Sequence, residues 1–494
     1  MPTEALTAPL RGIIQVVSRP WPGQRLASLS LFSLVLALLS GCVVTQDYQR
    51  PEVTLPATWK SDLQTAGATA NLAWWQQFQD PVLDELIVIA LEENKDLRIA
   101  AARIAEYAGR LQSTTAAELP TIGYTGSTYR EQRSLERATP VYRGENRIND
   151  NYEASVSVSW ELDLWGRIQR STEAARADLL ATEEERAALI LSLVSSVAAS
   201  YLDLLNLDQQ LVLTRKVVVD RLEWLNTFEK KLEGGQISAM ELAQARSAYQ
   251  QAAANVPRIE LQIALLENSL ALLLGHNPEA ILRGRPLDAI VEPAVPAGIP
   301  ADILERRPDI RQKEQNLIAA NARIGVARTQ YYPNISLTGL VGFASTDIST
   351  WLQGSANLYR FGADAVGPIF TGGRIEGEVA QAEARQQQLL HDYLKTIQTA
   401  LMEVEDALVS IRKLRELLEI QAKHVATLEN YVTYSHDRYD AGLSGYLEIF
   451  DAEQNLYNIQ MQHTQTHKDL LVALVNSYKA MGGGWITEQA AAGL

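Results

Sequence analysis

The apolar residues Ile190, Val194, Val197, Tyr201, Leu204 and Leu211 recur at alternating steps of four and three, which lays one seam along a helix. About 207 residues later the seam returns as Ile397, Leu401, Val404, Leu408, Ile411 and Leu418. Its break returns too, with Asp208 in the first copy and Arg415 in the second. The pattern predicts a duplicated helical hairpin, from Ser171 to Leu274 and from roughly Glu378 to Met481. In each copy about 60 residues lead to a glycine-bearing turn, Gly234-Gly235 in one and Gly442 in the other, so each long helix spans roughly 90 Å. That length exceeds any globular core.

Upstream of each hairpin the period shortens to two. Asp80 as N-cap and Pro81 in the first turn predict a helix running to about Ala117, with a seam of Leu83, Leu86, Ala90, Leu97 and Ile104 and a stop at Pro120. Ile122 and Tyr124 then alternate with Gly123 and Thr125. Val156, Val158, Trp160, Leu162 and Leu164 alternate with Ser155, Ser157, Ser159, Glu161 and Asp163. These are strands with one apolar and one polar face. The second half replays them as Ile335, Leu337, Val341 and Phe343, then Tyr359, Phe361, Ala363 and Ala365, after a helix that starts at Arg307-Pro308-Asp309 and stops at Tyr331-Tyr332-Pro333. Its offset is about 213 before the strands and about 207 after them, so the first strand pair has a loop about six residues longer.

Each half therefore reads helix, strand, strand, long helix, helix. Four strands cannot close a barrel; eight make one filled by side chains, and the twelve of three chains leave an aqueous bore. The formal charge of −15 excludes a nucleic-acid role, which needs a basic face. With 47% hydrophobic and 21% charged residues the chain is neither disordered nor a polytopic helical membrane protein. Beyond residue 42 no run of about 18 uncharged apolar residues appears, so any crossing of a bilayer must use strands.

At the amino end a basic segment (Arg11, Arg19, Arg25) precedes an apolar run and then Leu39-Ser40-Gly41-Cys42. This resembles a lipoprotein signal, which implies that Cys42, the sole cysteine, carries covalent lipid and that no disulfide forms. The leader is long for such a signal and points to a later translation start. Val43, not aspartate, follows, and by the same resemblance this directs the protein to the outer membrane. The segments are then a signal peptide (1–41), a lipid-anchored arm (42–72), a first repeat (73–280, strands about 121–165, hairpin about 167–275), a linker (281–302), a second repeat (303–485, strands about 334–371, hairpin about 373–481) and a loose tail (486–494).

The Trp74-Trp75 to Asp80-Pro81 opening, Trp160-Glu161-Leu162-Asp163-Leu164-Trp165-Gly166-Arg167, Arg307-Pro308-Asp309, and Gly367-Pro368 through Gly372-Gly373-Arg374 resemble the TolC/OprM-type outer membrane factors over nearly the whole mature chain. With the lipobox the likeness is to the lipoprotein branch. Lys313-Glu314 and Tyr331-Tyr332-Pro333 depart from the usual pattern there. The resemblance implies a mainly α protein with a membrane β-barrel and two structural repeats, whose homotrimer forms a 12-stranded outer membrane barrel on a long periplasmic α-helical barrel. It implies a duct that passes drugs or other small toxic compounds. A periplasmic adaptor and an inner-membrane RND-type transporter would be its partners, with outer membrane lipid around the barrel.

By the same likeness Glu241, Glu448 and Asp451 form rings of carboxylates at the periplasmic gate, and Tyr439 helps lock it. Other readings stand beside these. Ser238 to Glu241 fits a capping box, Glu448 is favoured in a first helical turn by the dipole, and Tyr439 could simply pack. Gly235, Gln236, Ile237, Gly442, Leu443 and Ser444 are the expected adaptor-docking tips, or else plain exposed turns. Type I protein secretion uses the same kind of duct, and a periplasmic coiled-coil adaptor lipoprotein would need no strands. An enzyme is not expected: no zincin motif, phosphate loop or serine elbow occurs. His463 and His467, four apart, have no third ligand nearby in sequence, so no metal or other cofactor is expected and a solvated face is the simpler reading.

Overall fold

The structure, a computed structural model, describes residues 47–56, 58–60, 73–136, 146–295 and 300–483. The signal, Cys42 and the tail lie outside them. The chain forms two compact units, and each repeat contributes to both: residues 117–169 with 325–375 make one, and 47–116 with 170–324 and the chain from 376 make the other. Sequence halves are therefore not spatial halves.

The first unit is an antiparallel sheet of β1 (Thr121–Gln132), β2 (Ile148–Leu162), β3 (Asn334–Ser345) and β4 (Asn357–Val366), side by side in chain order. Thr121 faces Ser159 at the end of the first ladder and Asn334 faces Val366 at the end of the second, so the two offsets read from sequence are the registers of the sheet. Alternation sorts the side chains. One face carries the rows Tyr124, Val156, Val341, Tyr359 and Ile122, Val158, Gly339, Phe361, then Trp160 beside Leu337. Apart from Gly339 these residues are exposed, Tyr124 by 90% and Phe361 by 71%. Gly339 interrupts the row because a Cβ there would meet Val158 at 2.8 Å and the Phe361 ring at 3.1 Å. The other face presents Ser155, Ser157, Ser159, Glu161, Thr338 and Asp364.

The second unit is helical. It contains α1 (Pro81–Glu93) and α2 (Lys95–Thr115), most of the long α3 (Arg167–Glu233), α4 (Ala239–Leu274), most of α5 (Pro308–Thr329) and of the long α6 (Arg374–Asp440), and α7 (Tyr446–Ala480). Each long helix has 67 residues. Where the sequence predicts one helix from Pro81 to about Ala117 there are two. Asn94 leaves helical geometry, caps α2 by accepting from Leu97, and donates from Nδ2 to the Leu273 carbonyl at 2.9 Å. The residue at its level in the second repeat, Arg307, donates likewise to the Ala480 carbonyl at 3.2 Å while pairing with Asp309 and Glu403. Gly275 and Gly482, also equivalent, press on the backbones of Glu93 and Arg306 too closely for any side chain.

The seam residues Ile190, Val194, Val197, Tyr201 and Leu204 are buried, as are Ile397, Val404, Leu408 and Ile411. This explains a helix that is apolar enough to cross a bilayer without needing one: the apolar window of α3 is 61% buried against its neighbours. The shared break serves the linker. Arg283 bonds Asp208 at 2.8 Å and Glu267 at 2.5 Å, and Glu292 pairs with Arg415 at 3.3 Å, so opposite charges at one repeat position tie down opposite charges of the linker. Asp80 is fully buried, accepting from Val82, from the Tyr201 hydroxyl at 3.0 Å and from the Arg285 amide at 3.0 Å. Burial, reinforced by the Asp80 carboxylate, pushes the Tyr201 hydroxyl well above its usual range. The described part of the arm has no helix or strand and is held by Arg50 to Glu305 and Glu314 and by Asp47 to Arg170.

Candidate functional site at the helical turns

The turns that close the two hairpins share one backbone. Gly235 and Gly442 are left-handed, with φ of 69° and 73°, a conformation favouring glycine. In one turn the amides of Gly235 and Gln236 return to the Leu232 and Lys231 carbonyls; in the other those of Gly442 and Leu443 return to Tyr439 and Arg438. This is the same double closure at equivalent residues.

The side chains differ. Ser238 accepts from the Glu241 amide, and the Glu241 carboxylate accepts from the Ser238 amide at 2.7 Å, a full capping box at the start of α4. Those bonds from Ser238 hold the Glu241 carboxyl below the usual carboxylate range. At the matching place α7 begins with Gly445, which has no side chain to cap with. Glu448 instead accepts from Arg438 at 3.0 Å, and Asp451 is exposed with an Asn455 amide at 3.1 Å. Tyr439 accepts from Lys231 at 2.8 Å and meets the Trp224 ring edge-on at 5.5 Å.

Of the expected tip residues, Gly235, Gln236, Gly442 and Leu443 are exposed, Leu443 by 69%. Ile237 turns inward onto a cluster of Leu225, Phe228 and Ala245. The Ser444 hydroxyl is buried without a partner among the described residues. Met240 and Leu447, equivalent in the repeat, add two further exposed apolar side chains beside the turns.

Sequence reasoning missed the anchor beneath these turns. Arg221 on α3 is 2% exposed, pairs with Glu453 at 3.2 Å, donates to the Tyr446 hydroxyl at 3.3 Å and lies 4.4 Å from the Phe450 ring centre. Trp224, Phe228 and Tyr446 pack around it at ring separations of 4.7 to 6.0 Å. His436 reaches Glu453 at 3.1 Å. Beside this knot is a cavity of about 660 Å³, lined by Lys216, Asp220, Trp224, His436, Glu453 and Tyr457 among others. A signal was available: the second copy has Leu428, Tyr431 and Ser435 at the levels of Arg221, Trp224 and Phe228, so the repeats diverge here.

His463 and His467 are not on a solvated face. Both are partly buried and line a second cavity of about 350 Å³ with Asp288 and Thr464, and burial lowers both imidazole pKa values. Among the described residues no three metal-binding side chains converge.

The model of the family described as outer membrane efflux protein matches residues 86–276 and 299–483, one span in each repeat. The solvent efflux pump outer membrane protein SrpC of Pseudomonas putida is 34% identical over 471 residues, covering 94% of this chain and 99% of its own. The cation efflux system protein CusC of Escherichia coli is 32% identical, with 92% and 98% covered. Among solved structures, the CmeC outer membrane channel of Campylobacter jejuni superposes with a TM-score of 0.84 at 25% identity, covering 90% of this chain and 95% of that one. The likeness thus runs through both repeats and over at least nine-tenths of this chain, and the chain belongs to the outer membrane efflux protein family.

Proposed function

We propose that this protein is the exit duct of a tripartite efflux pump: three copies close a twelve-stranded barrel in the outer membrane and extend a helical conduit into the periplasm. The observation that carries the reading is the sheet. Its exposed apolar face suits lipid, its opposite face suits water, and β1 and β4 leave unpaired edges that hydrocarbon does not tolerate. Lipid on Cys42 would hold the amino end at the membrane.

At the helical turns Asp451 and Glu448 supply carboxylates that threefold symmetry turns into rings, with Glu241 at the matching level of the first repeat. Such rings favour cations and resist close approach until the tips part. Leu443, Met240 and Leu447 offer small apolar contacts to a periplasmic adaptor, and avidity from three copies compensates for their limited area. An inner-membrane transporter supplies the energy; the duct itself conducts passively. Relatives of similar identity are named for solvent and for cation efflux, so small toxic compounds are the cargo class and specificity belongs to the pump.

The test is the native mass of the protein extracted in mild detergent from separated outer membranes. A threefold mass in that fraction is expected. A monomer absent from it overturns the barrel and leaves the reading of a periplasmic coiled-coil adaptor lipoprotein.

A further inference from the structure

The internal repeat dictates how one copy joins the next. In the chain, β2 pairs with β3 so that Leu162 faces Ile335, Trp160 faces Leu337 and Val158 faces Gly339. Moving β2 to its equivalent β4 and β3 to its equivalent β1, by the offsets that the registers themselves show, converts this junction into one between β4 and β1. Those two strands lie at opposite edges of the sheet, so the junction can only be made with a second copy. Their directions are antiparallel, as the junction requires.

We infer that β4 pairs with β1 of the neighbouring copy in one register, with Ile369 facing Ile122, Gly367 facing Tyr124, Ala363 facing Thr128 and Arg360 facing Glu131. This rests on the three-copy reading above and adds the seam.

Three features that played no part in choosing the register agree with it. Ile369 is 103% exposed and lies beyond the last residue of β4, whereas its equivalent Leu162 is the paired last residue of β2. Pairing with Ile122 would extend β4 and set the two isoleucines side by side on the apolar face. Gly367 already sits so close to Pro333 that a Cβ would fall 2.9 Å from it, leaving a notch opposite the exposed Tyr124 ring. This repeats the arrangement of Gly339 beside the Phe361 ring. On the polar face Arg360 meets Glu131; a slip of two residues in one direction would set it against Arg133, a like charge.

The experiment is disulfide trapping in the full-length protein in its membrane, oxidised with copper phenanthroline and resolved without reductant. Facing residues in a ladder lie within disulfide reach, whereas a pair displaced by four residues is about 13 Å apart. Ile122→Cys with Ile369→Cys, and separately Thr128→Cys with Ala363→Cys, should give two-chain and three-chain bands. Their yield should be at least about fivefold above the displaced pair Ile122→Cys with Ala365→Cys, and absent from each single variant. Bands from the displaced pair at equal yield, or none from either facing pair in a protein of threefold native mass, overturn the register and leave the trimer. A native mass of one chain overturns both.

Discussion

The two helical turns of this chain are built on one backbone and put it to different use. Lys231 matches Arg438, Ser238 matches Gly445, Glu241 matches Glu448 and Gln244 matches Asp451. In the first turn the acid closes its own helix through Ser238. In the second, glycine has taken the capping position, so the acid is released to Arg438 and a further carboxylate, Asp451, is added. Duplicated structure lets one copy keep stability while the other acquires charge. The lesson is that an acid near a helix start is informative only once the capping position before it is known.

The comparison can be broken most severely at Leu443. Leu443→Asp should abolish drug export from a correctly assembled protein, because a carboxylate at the exposed turn opposes an apolar contact, while the inward Ile237→Asp should instead loosen the turn. Susceptibility assays paired with native mass separate the two, and normal export by Leu443→Asp would refute docking there. Next in size is the anchor. Arg221→Ala empties the space between the aromatic rings and leaves Glu453 with His436 alone, and should cost about 3 kcal/mol locally, whereas Leu428→Ala at the same level of the other copy should cost below about 1.5 kcal/mol, since Leu428 is only partly buried. Hydrogen exchange across the ends of α3 and α6 measures both.

A smaller effect is expected on conductance. Glu448→Ala with Asp451→Ala should raise single-channel conductance about two- to fivefold and weaken block by divalent cations, and adding Glu241→Ala should change it less. Unchanged conductance and block would remove the acids from the gate. The smallest effect is one of pH. The Glu241 pKa is lowered in the folded state, so its cap contributes above the ordinary carboxylate range and is lost as pH falls through the lowered value. As pH falls below the ordinary carboxylate range the start of α4 should fray, while the start of α7, with no side-chain cap, should respond less. Exchange rates at the two helix starts test this, and Ser238→Ala should erase the difference.

Much of the fold was legible because the chain contains its own alignment. The two offsets, the strand faces, the glycine turns and the capping box all follow from residue period and self-comparison, and the ladders reproduce those offsets residue for residue. Asn94 was not legible, since one polar residue within an apolar period looks like a helix surface until Leu273 is seen accepting its amide. Arg221 was hidden for the opposite reason: it belongs to one copy only, and a search for likeness passes over difference. The motifs that carry the family resemblance are chiefly architectural. Trp74 stacks on Tyr478 at 5.3 Å, Asp80 holds the linker and Arg307 closes α5 onto the last helix, and none of them touches the turns where conduction would be controlled.

The stack of Trp74 on Tyr478 bears on synthesis as well as stability. Tyr478 also donates to Gln77, 401 positions away in sequence, so the opening segment cannot finish its core until α7 has been made and delivered. Loop-closure entropy over such a span is paid late, which makes folding slow and cooperative across the chain. Loss of the last turns of α7 would uncover the buried Trp74 ring. A protein that arose as two copies of one design has thus become indivisible, since neither copy retains a complete interior without the other.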